Sequence, residues 1–169
     1  MKIEFGARSA FGAAGLVSIA TALGTFYILP PESRYAVLAF FQEKMRQPLF
    51  AGFLTASTFL FSLKTFIVVN MKQHVYGTPE YEREWRGKLA LNPSMKRYEP
   101  LRNFALLLFL SVLVSLACAI SQFTIGLVDA PLAAFLCLAL SIWSLLMIFF
   151  SLILLQMNLR SWFRFLDET

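Results

Sequence analysis

Four long apolar stretches alternate with polar segments along this chain. The apolar stretches lie near residues 10–29, 49–71, 104–127 and 132–157. A helix needs about 20 apolar residues to cross a bilayer, and within lipid it satisfies every backbone polar group inside one segment. The pattern therefore predicts an all-α polytopic membrane protein in which residues 1–169 form a single transmembrane four-helix bundle.

The composition favours a membrane protein over a soluble one. Of the 169 residues 58% are hydrophobic and 15% are charged, whereas soluble domains carry about 25% charged residues. Cys118 and Cys137 both lie inside apolar stretches, where we expect them to pack as small hydrophobic side chains. No CxxC or His/Cys cluster is present, so neither a disulfide framework nor a zinc site is predicted.

The distribution of Lys and Arg predicts the orientation in the membrane. Eleven of these residues lie in residues 1–9, 72–103 and 158–169, against three in the connection 30–48. By the positive-inside rule, both termini and the loop 72–103 are cytoplasmic. We expect the first apolar stretch to be an uncleaved signal anchor and the protein to reside in a bacterial inner membrane.

Two short helices are predicted outside the spans. Residues 34–46 lie between prolines and carry a rough apolar face, which predicts a short outer interfacial helix. In the loop 72–103, Thr78-Pro79 is typical of a helix start, with Thr as the cap. The following residues predict a short cytoplasmic amphipathic helix whose Tyr81, Trp85 and Leu89 share one side.

The cytoplasmic loop is the main candidate interaction surface, and two partners remain open for it. Its aromatic and basic side chains could meet the anionic headgroups of the bilayer, or they could bind a soluble cytoplasmic protein. Nucleic acid is not expected, because the loop has a net charge of only +3 and glutamates interrupt its basic residues. The candidate lipid- or partner-binding residues are Tyr81, Trp85, Arg86, Lys96, Arg97 and Tyr98.

Small and hydroxyl-bearing residues recur at helical spacing within all four spans. Such stripes either pack helices against one another or line a polar path through an oligomer. The candidate helix-packing or pore-lining residues are Ala14, Ser18, Thr55, Thr58, Ser62, Ser111, Ser115, Gln122, Ser141 and Ser144.

Lys64 is the only charged residue within a predicted span. It lies about two turns from the cytoplasmic end of the second span, where a lysine can extend toward the headgroups. An intramembrane cation is also a candidate functional residue, with a lipid phosphate or a carboxylate as its partner.

The residues give no indication of catalysis. The single histidine, His74, lies at the membrane edge without a nucleophile nearby in sequence, and the predicted spans contain no carboxylate. Metal-binding clusters and phosphate-binding glycine loops are missing from the sequence. We therefore expect neither an enzyme nor a bound cofactor.

Three functions remain open. The first is a non-enzymatic sensor or scaffold that couples the membrane to a partner through its cytoplasmic loop, in a setting such as a stress or defence operon. The second is a homo-oligomeric ion channel or pore, suggested by Lys64 and the hydroxyl stripes. The third is an accessory subunit of a larger membrane complex. Small bundles with polar stripes often self-associate, so a homo-oligomer is expected.

Overall fold

The structure is a computed structural model that describes residues 7–74, 77–91 and 98–167, and every regular element in these ranges is helical. The helices are α1 (Ala7–Ile28), α2 (Pro31–Phe40), α3 (Arg46–His74), α4 (Pro79–Leu91), α5 (Glu99–Phe123) and α6 (Pro131–Asp167). Four segments are long and apolar enough to cross a membrane, namely Phe11–Ile28, Pro31–Met71, Leu101–Leu127 and Pro131–Met157. The described residues thus confirm the predicted all-helical class, with four segments long and apolar enough to cross a membrane.

Prolines mark where several of the helices begin. Pro31, Pro79 and Pro131 are the first residues of α2, α4 and α6. Proline suits this position, because its φ is already helical and the first helical N–H has no partner within the helix. At the start of α4, the Thr78 hydroxyl accepts a hydrogen bond from the Tyr81 N–H at 3.4 Å, which is the role of an N-cap.

The second span differs from the sequence prediction. Instead of a separate interfacial helix over 34–46, the chain is helical from Pro31 onward, and a π-helical turn at Phe41–Met45 connects α2 to α3. Pro48 does not end the helix as expected. A proline removes the backbone bond to the residue four positions earlier, yet α3 continues through Pro48 to His74.

The long second segment extends beyond one membrane crossing. Its 41 residues would measure about 60 Å as a straight helix, twice the thickness of the hydrocarbon core. On α2 and the π-helical turn, Leu38 and Phe41 are buried against Ala134 and Cys137 of α6. This contact holds α2 beside the first turns of α6, so the apolar side of 31–45 packs on protein.

The helices α5 and α6 form the centre of the bundle. Helix α3 packs along α5, α5 along α6, and α1 along α6 with a smaller contact on α5. Half of the apolar segment of α5 that could cross a membrane is buried within the protein, compared with 17% of the corresponding segment of α1. Helices α1 and α3 therefore expose most of their surface, which is where lipid or another chain would lie.

Two apolar clusters close the bundle at its ends. At the α4 end, which is defined by Met71 and Leu101, buried side chains of α3 and α5 pack together. At the opposite end, the cluster around Phe41 joins α2 to α6. Apolar burial is not itself a driving force within lipid, so close van der Waals packing of such clusters stabilises the bundle.

Candidate functional site

Helix α4 is attached to the bundle by its aromatic side. The Tyr81 side chain is partly buried and packs against the cluster that contains Met71 and Leu101, at the ends of α3 and α5. Trp85, one turn further along the same side, is also partly buried. The sequence left lipid and a partner protein as the surfaces that Tyr81 could contact, and the structure shows a third, the core of its own bundle.

The opposite side of α4 is basic and accessible. Arg83 and Arg86 are exposed, and the Arg86 guanidinium donates to the Glu82 carboxylate at 2.7 Å. Such an exposed pair contributes little to stability. Tyr98 is exposed at the start of α5, whereas the candidate residues Lys96 and Arg97 lie outside the described residues. Packing by Tyr81 therefore presents Arg83 and Arg86 away from the bundle.

The predicted hydroxyl stripes of α5 and α6 face each other. Five hydrogen bonds among the described residues cross the seam: Ser111 Oγ with Ser151 Oγ at 2.7 Å, Ser111 Oγ to the Met147 carbonyl at 3.1 Å, Ser115 Oγ with Ser144 Oγ at 2.7 Å, Cys118 Sγ with Ser141 Oγ at 3.4 Å, and the Cys137 thiol to the Ser121 carbonyl at 3.5 Å. All of these side chains are buried. Polar contacts of this kind join helices in lipid, each contributing about 0.6 kcal/mol. These residues act in helix packing within one chain.

Two further predicted residues are buried in the same interior. The Ser18 hydroxyl on α1 donates to the Ala14 carbonyl at 2.7 Å, and Ala14 packs against Leu107 and Met147. At the end of the α5–α6 seam, the Gln122 amide Nε2 donates to the Cys118 carbonyl at 3.3 Å. The Gln122 Oε1 atom is buried and accepts no hydrogen bond from the residues that the structure describes.

The predicted stripe on α3 points outward. Thr55, Thr58 and Ser62 are exposed, and each hydroxyl donates to the carbonyl four residues earlier, at 2.8–3.1 Å. The serine that α3 buries is Ser57, which the sequence analysis did not single out. The α3 stripe therefore contributes nothing to packing within one chain and is available to lipid or to a second copy.

Lys64 lies away from this stripe, at the seam between α3 and α5. Its ammonium group is 4.6 Å from the ring centroid of Phe109, and the side chain is half-buried. A cation over a ring face is attracted by the ring's quadrupole. The partner found for Lys64 is thus an aromatic ring on the neighbouring helix.

The sequence analysis did not predict one close contact, between Gly15 of α1 and Trp143 of α6. Gly15 of α1 lies against the indole of Trp143, and a Cβ at this position would be 3.1 Å from its Cζ2 atom. The Phe11 ring contacts the same indole in a tilted arrangement, with ring centroids 4.9 Å apart and an interplanar angle of 57°. A tryptophan in the middle of an apolar stretch opposite a glycine-containing helix was the only available signal, and it does not identify the partner helix.

The described residues contain no group of three or more His, Cys, Asp or Glu side chains placed to hold a metal ion. Comparison of the chain with protein-family models, with curated proteins and with solved structures finds no match.

The geometry described above leaves three candidate surfaces. They are the basic side of α4, the outward stripe of α3 and the surroundings of Lys64.

Proposed function

We propose that this protein is a non-enzymatic membrane sensor or scaffold that holds a soluble protein at the membrane through its α4 loop. The observation that supports this proposal is the attachment of α4 to the bundle. Tyr81 packs against the bundle core, while Arg83 and Arg86 remain accessible. A fixed helix loses little conformational freedom when a partner binds its exposed side. Arginine is also among the residues that contribute most to binding.

The proposal places both termini and the α4 loop in the cytoplasm of a bacterial inner membrane. The distribution of Lys and Arg supports this orientation, with eleven on one side of the spans and three on the other. A cytoplasmic location gives the basic side of α4 access to soluble proteins and to the anionic inner leaflet. A stress or defence operon is a setting in which such a scaffold would act.

Crosslinking on oriented vesicles tests function and orientation together. Inside-out vesicles carrying the full chain would be incubated with a cytosolic fraction, washed and treated with an amine-reactive crosslinker. We expect a defined crosslinked protein that decreases about tenfold or more in the double variant Arg83→Glu/Arg86→Glu, because reversing two interface charges removes more than 1.4 kcal/mol of binding. Right-side-out vesicles should give no product.

Lys44→Glu is the matched control, since it reverses an exposed charge at the opposite end of the bundle. It should leave the crosslinked product unchanged. Tyr81→Ala should also weaken capture, because α4 would lose its attachment. A product that survives Arg83→Glu/Arg86→Glu would contradict the scaffold. A partner found only in the membrane fraction would identify the chain as an accessory subunit of a larger complex.

The outward stripe of α3 favours a second candidate, a homo-oligomeric pore. Thr55, Thr58 and Ser62 would line a polar path if copies met along α3, since their hydroxyls face away from their own bundle. In liposomes, such a protein should pass ions, and Thr58→Leu should reduce the flux severalfold by narrowing the path. Lys64→Met should leave flux unchanged, because Lys64 faces Phe109. Vesicles that stay tight at high protein loading would rule the pore out.

A further inference from the structure

Lys64 is a charged residue in an otherwise apolar part of α3, at the edge of the seam with α5. It belongs to a helical segment that is apolar enough to cross a membrane, and it is half-buried between α3 and α5. The ring beneath it, Phe109, is 40% exposed, so the pair is at the surface of the bundle. In a bilayer, this surface faces lipid.

The chain offers Lys64 no carboxylate within the membrane. The sequence contains no Asp or Glu between Glu43 and Glu80, or between Glu99 and Asp129. Among the described residues, the ion pairs are Glu43–Lys44 and Glu82–Arg86, neither of which involves Lys64. A ring face attracts an ammonium group but carries no net charge to neutralise it. Since no ion pair among the described residues neutralises Lys64, an anion from the lipid can serve as its counter-ion.

A second cation lies on the same side of α5. Arg102 is exposed and precedes Phe109 by seven residues, about two helical turns, so both occupy one face with an axial separation of about 10 Å. Side chains on a helix incline toward its N-terminus, so the Phe109 ring leans toward Arg102. This brings the Lys64 ammonium toward the α4 end of the bundle, where Arg102 marks the end of the apolar segment.

We infer that Lys64, Phe109 and Arg102 form a binding site for the phosphate group of an anionic phospholipid. Two long cationic side chains at this spacing can both reach one phosphate from either side, and their stems can lie along apolar surface. The acyl chains would follow the exposed apolar face of α5, which continues through Leu113 and Leu116. The site is independent of the proposed protein partner, because it involves neither Arg83 nor Arg86.

Native mass spectrometry of the full chain in mild detergent tests this site. The delipidated protein would be titrated with phosphatidylglycerol and, separately, with phosphatidylcholine. We expect one phosphatidylglycerol to be retained in preference to phosphatidylcholine, and this preference to fall about fivefold or more in Lys64→Met and in Arg102→Gln, since each cation near a membrane surface adds about that factor. Lys64→Arg should keep the preference.

Lys44→Met is the matched control, because it removes a lysine that already has a carboxylate partner, Glu43, at 2.7 Å. It should bind phosphatidylglycerol as the unmodified chain does. Folding of each variant is checked by the thiol reagent resistance of Cys118 and Cys137, which are fully buried. Equal retention of the two lipids by the unmodified chain, or unchanged preference in folded Lys64→Met, would overturn the site. Neither result would affect capture of a protein partner through Arg83 and Arg86.

Discussion

Replacing Gly15 with leucine should separate α1 from α6 and strongly destabilise the bundle. A Cβ added at Gly15 would be 3.1 Å from Cζ2 and 3.2 Å from Cε2 of the Trp143 indole. Leucine adds three further carbons at this point of contact. Inserting carbons into a packed interface usually costs about 1–3 kcal/mol. We expect a loss of about 2–3 kcal/mol for Gly15→Leu, because the indole also contacts Phe11 of the same helix and its position is therefore constrained.

Gly12→Leu is the matched control for this prediction. Gly12 is in the same helix, is exposed, and has no heavy atom within 4 Å of its would-be Cβ. Leucine there should leave the free energy of unfolding nearly unchanged. The measurement is unfolding in a titration with sodium dodecyl sulfate, followed by maleimide labelling of Cys118 and Cys137, both fully buried in the folded chain. Equal effects of leucine at the two glycines would contradict the contact between α1 and α6.

A second substitution can confirm that Trp143 is the obstacle. The Trp143 Nε1 atom is buried and makes no hydrogen bond with the part of the chain that the structure describes. Phenylalanine at this position therefore removes no hydrogen bond to the described residues. Its smaller ring should accept a methyl group at position 15, so the double variant Gly15→Ala/Trp143→Phe should be more stable than the two single effects predict.

Replacing Ser115 with leucine should be the other severely destabilising change. The Ser115 hydroxyl is 2.7 Å from that of Ser144, and both side chains are fully buried between α5 and α6. Leucine removes this hydrogen bond and places several extra carbons at a buried contact between the two central helices. We expect the free energy of unfolding to fall by about 2–3 kcal/mol, mainly from overpacking. Ser115→Ala should cost only about 0.6 kcal/mol, the usual contribution of such a bond in lipid.

Ser62→Leu provides the comparison on α3. Ser62 is exposed and its hydroxyl donates to the Thr58 carbonyl of its own helix. A leucine at this position would project outward and should change stability by less than about 0.5 kcal/mol, as surface substitutions usually do. The same detergent titration measures both variants. A large loss of stability for Ser62→Leu, with a small one for Ser115→Leu, would contradict this arrangement. It would show that the hydroxyl stripe of α3, and not that of α5, lies inside the bundle.

These two comparisons show that the helical spacing of small polar residues predicts a stripe on a helix, but not whether that stripe is buried. The stripes on α3 and α5 have the same spacing of small polar residues, yet Thr55 and Thr58 are exposed while Ser111 and Ser115 are buried. A serine or threonine in a helix can bond the carbonyl four residues earlier, so its hydroxyl is satisfied on either face. In lipid, both faces of a helix can be apolar. The sequence pattern therefore defines a stripe without showing what it contacts.

The connection between the first two spans illustrates a second limit. The sequence predicted a separate helix over 34–46, between Pro31 and Pro48, whereas α2 begins earlier, at Pro31. Pro48 does not end the helical stretch, since the chain continues through the π-helical turn at Phe41–Met45 into α3. The burial of Leu38 and Phe41 on α6 depends on residues about 95 positions further along the chain. No local pattern contains that information.

The sequence alone predicted a helical chain with four segments long and apolar enough to cross a membrane, because long apolar stretches in lipid have few other solutions. It also predicted a helix start at Thr78-Pro79, where α4 begins, since proline at the first helical position is a local effect. Only the tertiary structure decided which face of each helix is inside. Tyr81 packs on the bundle, Ser115 meets Ser144, and Lys64 lies over Phe109. Each contact joins segments distant in sequence, and steric fit between whole helices selects among faces whose compositions are alike.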